Sequence, residues 1–164
     1  RLSERSRYLR FMQPLTELTP EMLSRFTQID YDREMALIAV VEEDGEEVQV
    51  GVARYVMHPH RRGCEFAIAI SDEWQGRGIA TRLLESLIAV ARDRRLKIMD
   101  GVVLRENRGM LKLADRLGFR RDQPYRLVLD DLGSTRNWLR AWHRPGNCPP
   151  GCGSGCPWRS PCCR

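Results

Sequence analysis

Alternating apolar and polar residues mark three β-rich runs in the first half of the chain. The runs are MALIAVVEE at 35–43, VQVGVARYVM at 48–57 and CEFAIAI at 64–70. Asp44 and Gly45, between the first two runs, form a pair that favours a two-residue hairpin turn. The pattern therefore predicts a three-stranded antiparallel meander.

Helical signals flank this meander on both sides. Residues 3–9 form one predicted helix, and Thr19 followed by Pro20 is typical of the start of another, which extends to about residue 27. After the meander, a longer helix is predicted from Gly78 to about Arg94, with one face buried against the sheet. Its apolar positions recur at helical spacing, at Ile79, Leu83, Leu84, Leu87, Ile88 and Ala91.

The second half of the chain completes a mixed sheet. The nearly continuous apolar run KIMDGVVL at 97–104 follows the long helix, and this strand–helix–strand order predicts parallel pairing with a right-handed crossover. Asn107 and Gly118 bound a further helix as its N-cap and C′ residue. The run YRLVLDD at 125–131 is the last predicted strand. The predicted fold class is α/β, more narrowly α+β, with a mostly antiparallel sheet flanked by helices.

Composition limits the class of protein. The chain has 164 residues, of which 42% are hydrophobic and 30% charged, which suits one folded domain. No apolar run approaches the roughly 18 residues needed to span a bilayer. The first residues lack the apolar segment of a signal peptide. We therefore expect a cytoplasmic protein with no membrane partner.

The net charge of +5 is unevenly distributed. Residues 1–132 carry 22 basic and 22 acidic residues, whereas residues 133–164 carry five arginines and no acid. A nucleic-acid-binding protein concentrates its cations on the folded domain, so no nucleic-acid partner is expected. The same change in composition predicts a folded domain over residues 1–131 and a Pro-, Gly- and Cys-rich tail over 132–164 without packed structure.

Five of the six cysteines lie in the predicted tail, with His143 nearby. Their number would suffice for zinc, but the paired Cys-x2-Cys spacing of structural zinc sites is absent. We expect no metal site and a disordered tail. Cys64 stands alone in an apolar run and is expected in the core.

The segment QGRGIA at 75–80 lies between a predicted strand and a predicted helix. The first turn of a helix presents backbone N–H groups without intrahelical partners, and glycines allow an anion to approach them. From these residues alone, an ordinary turn and a phosphate-binding loop are both open interpretations.

Two motifs in this order resemble the GNAT N-acetyltransferases. Gln75, Gly78 and Ala80 match the Gln/Arg-x-x-Gly-x-Gly/Ala loop of the family, and NRGMLKLADRLGF at 107–119 resembles its second signature. The resemblance implies the GNAT fold, with a parallel strand pair splayed at an acyl-CoA site, and acetyl-CoA as co-substrate without a metal. It implies cofactor-binding residues in the third strand, the glycine segment and the second motif, namely Ala67, Ile68, Ala69, Ile70, Gln75, Gly76, Arg77, Gly78, Ile79, Ala80, Thr81, Asn107 and Met110.

Three longer segments resemble one branch of that family more narrowly. YLRFMQPL, TQIDYDREMALIAV and EFAIAISDEWQGRGI are similar to the acetyltransferase domain of bacterial protein lysine acetyltransferases of the Pat type. This resemblance implies transfer of acetyl to a protein lysine, with an acyl-CoA synthetase as the partner. It also implies that the first strand of the usual fold precedes the present sequence.

Glu65 is the candidate catalytic residue. Period-two alternation places it on one face of its strand with Ala67 and Ala69, and Phe66, Ile68 and Ile70 on the other. The Pat-type resemblance implies that Glu65 is the general base. A lysine amine, with a pKa of about 10.4, must lose a proton before it attacks a thioester, and a half-buried glutamate can accept it. The alternative is an ordinary exposed or salt-bridged strand glutamate.

Other candidates leave alternatives open. Many GNAT enzymes carry a tyrosine as general acid seven residues after the helix-opening Asn, and Ala114 occupies that position here. Tyr125 can approach from a neighbouring strand or serve only in packing. His58 and His60 are possible bases, although a solvated turn is the favoured interpretation.

Acidic residues also cluster before the first strand, at Asp30, Asp32 and Glu34. They can receive a lysine-bearing surface or act in capping and solvation. Two rival functions share the cofactor motifs: a GNAT enzyme that acetylates a small amine, and a non-catalytic acyl-CoA-sensing domain.

Overall fold

The computed structural model describes residues 1–130 and residue 132. Residues 133–164, with the disorder and metal predictions made for them, lie outside this range. The described residues form four α-helices, a 3-10 turn and six strands. In chain order these are α1 Glu4–Phe11, α2 Pro20–Thr27, β1 Glu34–Glu43, β2 Glu46–Met57, β3 Gly63–Ile70, the turn Asp72–Trp74, α3 Ile79–Asp93, β4 Ile98–Val102, α4 Arg108–Arg116, β5 Arg120–Gln123 and β6 Arg126–Leu129.

The strands form a single mixed sheet in the order β1-β2-β3-β4-β6-β5. The predicted meander β1-β2-β3 is antiparallel, and the predicted parallel pair is β3-β4. This pair is short, with Gly63, Cys64 and Glu65 opposite Ile98, Met99 and Asp100. The two strands separate beyond Glu65, which leaves the remaining length of β3 without a partner on that side.

One face of the sheet packs on α3 and α4. The buried residues there come from both the sheet and the helices: Tyr55, Cys64, Phe66, Leu84, Leu87, Met99, Leu113 and Leu127. Gly101 allows β4 to approach this layer, since a Cβ built on it would lie 2.6 Å from the ring of Phe66. The Phe66 ring in turn packs against Phe119, with 5.1 Å between ring centroids.

The opposite face is charged and is partly covered by the first two helices. Arg54 on β2 is buried, donates a 2.6 Å hydrogen bond to Glu34 on β1, and lies under the ring of Phe26 from α2. Helix α1 contacts β3, and its Phe11 packs on Phe26 with centroids 6.1 Å apart. Glu65 lies on this same face, because side chains alternate along β3 and its neighbour Phe66 faces the helices on the other side.

The last predicted strand is present but shorter than predicted, and it has an additional partner. The pattern predicted a strand over 125–131, which the structure has as β6 at Arg126–Leu129, paired in a hairpin with β5, which was not predicted. All four residues of β5, RRDQ, are exposed. A strand of this kind has no apolar alternation and is held by backbone pairing with β6, so periodicity does not reveal it.

Two further observations concern general properties of the described part. None of its helices is long and apolar enough to cross a membrane. Cys64 is fully buried, and burial, together with the charge of Asp100, raises the pKa of its thiol to about 12. Cys64 is therefore an unreactive core residue.

Candidate active site

A cleft of about 450 Å³ opens where β3 and β4 separate. One wall is formed by α1, another by residues 65–70 of β3, and a third by the glycine segment and the start of α3. The end of β4 and the first turns of α4 close the remaining side. The cleft therefore brings together segments that are far apart in the sequence.

The predicted site residues lie around this cleft with one exception. Glu65, the four following cofactor candidates 67–70, the glycine segment except Arg77, and both Asn107 and Met110 line it. Arg77 instead places its guanidinium over the ring of Trp74, 4.4 Å from the centroid. Its side chain is exposed and is not among the residues that line the cleft.

The glycine segment exposes its backbone to the cleft. Gly76 and Gly78 have φ values of +73° and +81°, which favour glycine, and no atom lies within 4 Å of a Cβ built on either one. Gly78 is the N-cap of α3 and provides no side-chain hydrogen bond to the helix. The first-turn N–H groups of a 15-residue helix are thus directed into open space with a partial positive charge.

Helix α1 is attached to the same segment through Asp72. The Asp72 carboxylate accepts hydrogen bonds from the Ser3 N–H and the Ser6 hydroxyl, and the Gln75 amide donates to it over 3.0 Å. The Ser6 and Ser3 hydrogen bonds hold the pKa of Asp72 below its ordinary value. Gln75 also donates to the Ile70 carbonyl over 3.1 Å, so its side chain fixes the turn out of β3.

The second motif supplies the opposite wall. The Asn107 side chain accepts a 3.1 Å hydrogen bond from the Met110 N–H, which is the N-cap predicted for α4. Met110 and Leu113 are directed toward the cleft, and Ala114 is fully buried behind them. Because position 114 is an alanine, it cannot provide a general acid.

Glu65 lies at the end of the cleft where the β3-β4 pairing stops. Its side chain is exposed, which corrects the expectation of a half-buried glutamate. The reason is its position at the last paired residue, where the strands begin to diverge and no element covers the carboxylate. The charges of Arg10 from α1 and Arg126 from β6 both act on it.

The structure has a charged network beside Glu65 that was not predicted from the sequence. Asp100, opposite Glu65 in the parallel pair, is 4% exposed. His58 Nε2 lies 2.9 Å from one of its carboxylate oxygens, and the Arg126 guanidinium donates to the other, with Nε at 2.9 Å. His58 is thus partnered and only partly exposed, whereas a solvated turn was favoured for it. Asp100 inside the apolar run KIMDGVVL could have indicated this network, because a buried carboxylate requires partners.

Arg10 is a second feature of this end that the sequence did not indicate. It lines the cleft from the last turn of α1 and is partly buried. Burial and the neighbouring charge of Arg54 lower the pKa of its guanidinium, while the charge of Glu65 acts in the opposite direction. Among the described residues, Arg10 makes no hydrogen bond or ion pair, and its guanidinium lies 4.9 Å from the centroid of the adjacent Phe11 ring.

The remaining candidates lie elsewhere. Tyr125 is 51% exposed and lines a second cleft of about 620 Å³, so it is neither packed at the core edge nor part of the first cleft. The acidic cluster is largely neutralised or used in a turn. Asp30 accepts the Asp32 N–H, Asp32 pairs with Arg61 at 3.3 Å and Glu34 pairs with Arg54.

No group of three or more histidine, cysteine or acidic side chains within the described part of the chain could hold a metal ion. The cleft presents a carboxylate, backbone N–H groups and arginines. A carboxylate at one end and an anion-binding helix start at the other suit the transfer of a group from a phosphorylated donor.

Comparison with known proteins agrees with this geometry. Residues 5–119 match the model of the acetyltransferase (GNAT) family. The chain is 40% identical to Acetyltransferase PA5475 of Pseudomonas aeruginosa over 119 residues, which cover 73% of this chain and 64% of that protein. The chain belongs to the acetyltransferase (GNAT) family.

Two Pat proteins are also similar to this chain. Acetyltransferase Pat of Mycolicibacterium smegmatis is 31% identical over 117 residues, which cover 71% of this chain and 34% of that protein. The GNAT domain of S. lividans PAT has a TM-score of 0.70 and 30% identity, over 79% of this chain and 78% of that domain. The chain thus spans about two thirds of the first curated relative and one third of the second.

Proposed function

We propose that this member of the GNAT family transfers an acetyl group from acetyl-CoA to the ε-amine of a protein lysine, with an acyl-CoA synthetase as the acceptor. One observation carries the proposal: a single cleft has the Glu65 carboxylate at one end of the unpaired β3 edge and the glycine segment at the other. The similarity to Pat proteins supports the choice of acceptor.

The donor fits the cleft at three levels. The pyrophosphate of CoA would occupy the space beside Gly76 and Gly78, where a side chain is lacking and the first-turn N–H groups of α3 converge. The pantetheine arm carries amides that can pair with the free backbone edge of residues 67–70, as an added strand does. The thioester would then lie close to the end of the β3-β4 pairing, beside Glu65.

The transfer itself requires one proton acceptor and one oxyanion site. Glu65 takes a proton from the lysine ammonium, directly or through a water molecule, and the free amine attacks the thioester carbonyl carbon. The carbonyl oxygen becomes an oxyanion, which backbone N–H groups of β3 stabilise. Collapse of this intermediate breaks the carbon–sulfur bond and releases CoA as a thiolate, and the nitrogen loses its remaining extra proton to water, which passes it to the thiolate.

The leaving group needs no tyrosine in this scheme. Ala114 stands where many relatives place that acid, and Tyr125 lies in the second cleft. A thiolate is a far weaker base than an amine anion, so it departs without full protonation and is protonated by water. The exposed position of Glu65 gives water access to this end of the cleft.

The test is acetyl transfer to a defined lysine. The full chain is incubated with acetyl-CoA and candidate acyl-CoA synthetases, and acetylated lysines are located by mass spectrometry. We expect a new acetyl group on the catalytic lysine of a synthetase, and its loss when that lysine is replaced by arginine. A Glu65→Gln variant should form it roughly 10²- to 10⁴-fold more slowly.

Three other outcomes separate the rival functions. Acetylation of a polyamine or an aminoglycoside but of no protein would overturn the protein-lysine assignment and favour a small-amine enzyme. Tight acetyl-CoA binding without turnover on either acceptor class would favour a sensing domain. Failure to bind acetyl-CoA at all would overturn both the donor assignment and the proposal.

A further inference from the structure

Helix α1 connects the two ends of the cleft. Its first turn contacts the donor end through the hydrogen bond from Ser6 to Asp72, and its last turn carries Arg10 into the cleft beside Glu65. Arg10 therefore lies beyond the place of the thioester, on the side from which the second substrate approaches.

The guanidinium of Arg10 has no directly bonded partner there. Its cationic neighbour Arg54 is satisfied, with a 2.6 Å bond to Glu34 and a further bond to the Arg25 carbonyl. Arg10 itself has neither a hydrogen bond nor an ion pair among residues 1–130 and 132, although it is partly buried, and the charge of Glu65 acts on it without direct contact. A partly buried guanidinium whose N–H groups have no acceptor is costly, and a carboxylate is the partner that its planar fork fits best.

A second cleft adjoins the donor cleft at Val103. Arg105 and Arg126 line it, but the Arg126 guanidinium already donates to the buried Asp100 carboxylate, whereas Arg105 has no carboxylate partner within the described part of the chain. The one acid among the lining residues, Asp122, is already paired with Arg120 at 2.7 Å.

We propose that Arg10 binds a carboxylate of the acceptor, so that this enzyme selects lysines with an acidic side chain within a few residues. The inference rests on the proposed function for the nature of the acceptor. Arg10 thereby acts as a specificity-determining residue, while Glu65 deprotonates the amine. Arg105 extends the same preference along the acceptor segment through longer-range attraction.

The test compares two labelled peptides that differ only in charge. Each carries a single lysine, flanked by glutamates in one peptide and by glutamines in the other. Binding is measured by fluorescence anisotropy with saturating CoA present, so that the result does not depend on turnover. We expect the full chain to bind the acidic peptide about tenfold more tightly, as a charge-assisted hydrogen bond would give.

Variants on the same helix assign that preference to a residue. Arg10→Gln should reduce the preference to about twofold or less, and Arg10→Lys should keep part of it, because a point charge remains without the planar fork. Arg5→Gln is the matched control, since Arg5 is exposed on α1 and does not line the cleft. It should keep the full preference.

Each alternative outcome has a distinct meaning. Equal binding of both peptides by the unmodified chain overturns the inference and leaves the proposed function intact. An unchanged preference in Arg10→Gln, with lower turnover of both peptides, would show that Arg10 serves Glu65 only. Weakened binding of succinyl-CoA in that variant, with the peptide preference intact, would place the carboxylate on the acyl donor. A clear peptide preference without any acetyl transfer would overturn the proposed function alone.

Discussion

The two ends of the cleft are built from different materials. At the proposed donor end, the groups that face the cleft are backbone N–H groups, placed by two glycines with positive φ and by the start of α3. At the proposed acceptor end, they are side chains from distant elements, Arg10 from α1 and Glu65 from β3, with the Asp100–Arg126 pair of β4 and β6 beside them. The first end is local in sequence and the second is assembled by the fold.

Because of this difference, donor binding and the transfer step should depend on side chains to different extents. A substitution at the donor end acts mainly through the space or charge that it adds, because backbone groups cannot be removed by mutation. A substitution at the acceptor end removes the side chain that is proposed to react with the acceptor or to recognise it. Donor affinity and turnover should therefore respond to different residues.

The largest effect is expected at the acceptor end, from Glu65→Gln. If Glu65 accepts the lysine proton, turnover at neutral pH should fall by roughly 10²- to 10⁴-fold, the usual range for loss of a general base. Acetyl-CoA affinity, measured by titration calorimetry, should be unchanged because the donor end is intact. Raising the pH should restore activity partly, since more lysine is then deprotonated without the enzyme.

Glu47→Gln provides the control for this experiment. Glu47 is an exposed glutamate in β2 that does not line the cleft, so its variant should keep normal turnover and affinity. Near-normal turnover by the Glu65 variant would remove Glu65 from the mechanism. His58, His60 or a chain of water molecules would then be the next candidates for the base.

At the donor end, Gly78→Asp should give the inverse result. It adds a carboxylate to the helix start that is proposed to hold pyrophosphate, so acetyl-CoA affinity should fall by about tenfold or more through charge repulsion in this partly enclosed site. Turnover at saturating donor should fall much less. Calorimetry gives the affinity, and steady-state kinetics gives kcat separately from KM.

The chain offers a closely matched control in Gly45→Asp. Gly45 has a φ of +82°, against +81° at Gly78, and both have open space at the Cβ position. The two variants should therefore carry a similar backbone cost, but Gly45 lies in the β1-β2 turn, away from the cleft. Equal donor affinity in both variants would contradict the assignment of the glycine segment to phosphate binding.

The same contrast explains what the sequence could predict. The meander, the parallel pair and the four helices follow from periodicity and capping residues, which act over a few positions. The donor end also lies within one short segment, QGRGIA, so its glycines and helix start were recognisable. Glu65 was singled out by the same family resemblance.

The charged residues at the acceptor end could not be predicted from such local patterns. Arg10 lines the cleft only because α1 packs along β3, and His58 acquires a partner only because β4 places Asp100 beside it. His58 and Asp100 are 42 positions apart in the sequence, and no periodic pattern encodes such a contact. The exposed strand β5 was missed for a related reason, since its pairing partner and not its own pattern determines it.

The smallest effect is expected where the two ends are joined, at Asp72. Its carboxylate holds the start of α1 through Ser3 and Ser6, and it also accepts from Gln75 at the donor end. Asp72→Asn keeps the shape but loses the charge, so the free energy of unfolding should fall by at most about 1 kcal/mol, as for exposed charge-assisted contacts.

Because the hydrogen bonds lower the folded-state pKa of Asp72, this stabilisation is present above its unfolded value of about 3.9 and is lost as the pH falls below it. Urea unfolding should therefore show a difference between the two proteins at pH 7 that becomes smaller at pH 3. Glu73→Gln, at the exposed neighbouring position, should show no comparable difference at pH 7. A difference for Asp72→Asn that is equal at both pH values would mean that its charge does not hold α1 in place, and the two ends of the cleft would then be joined by packing alone.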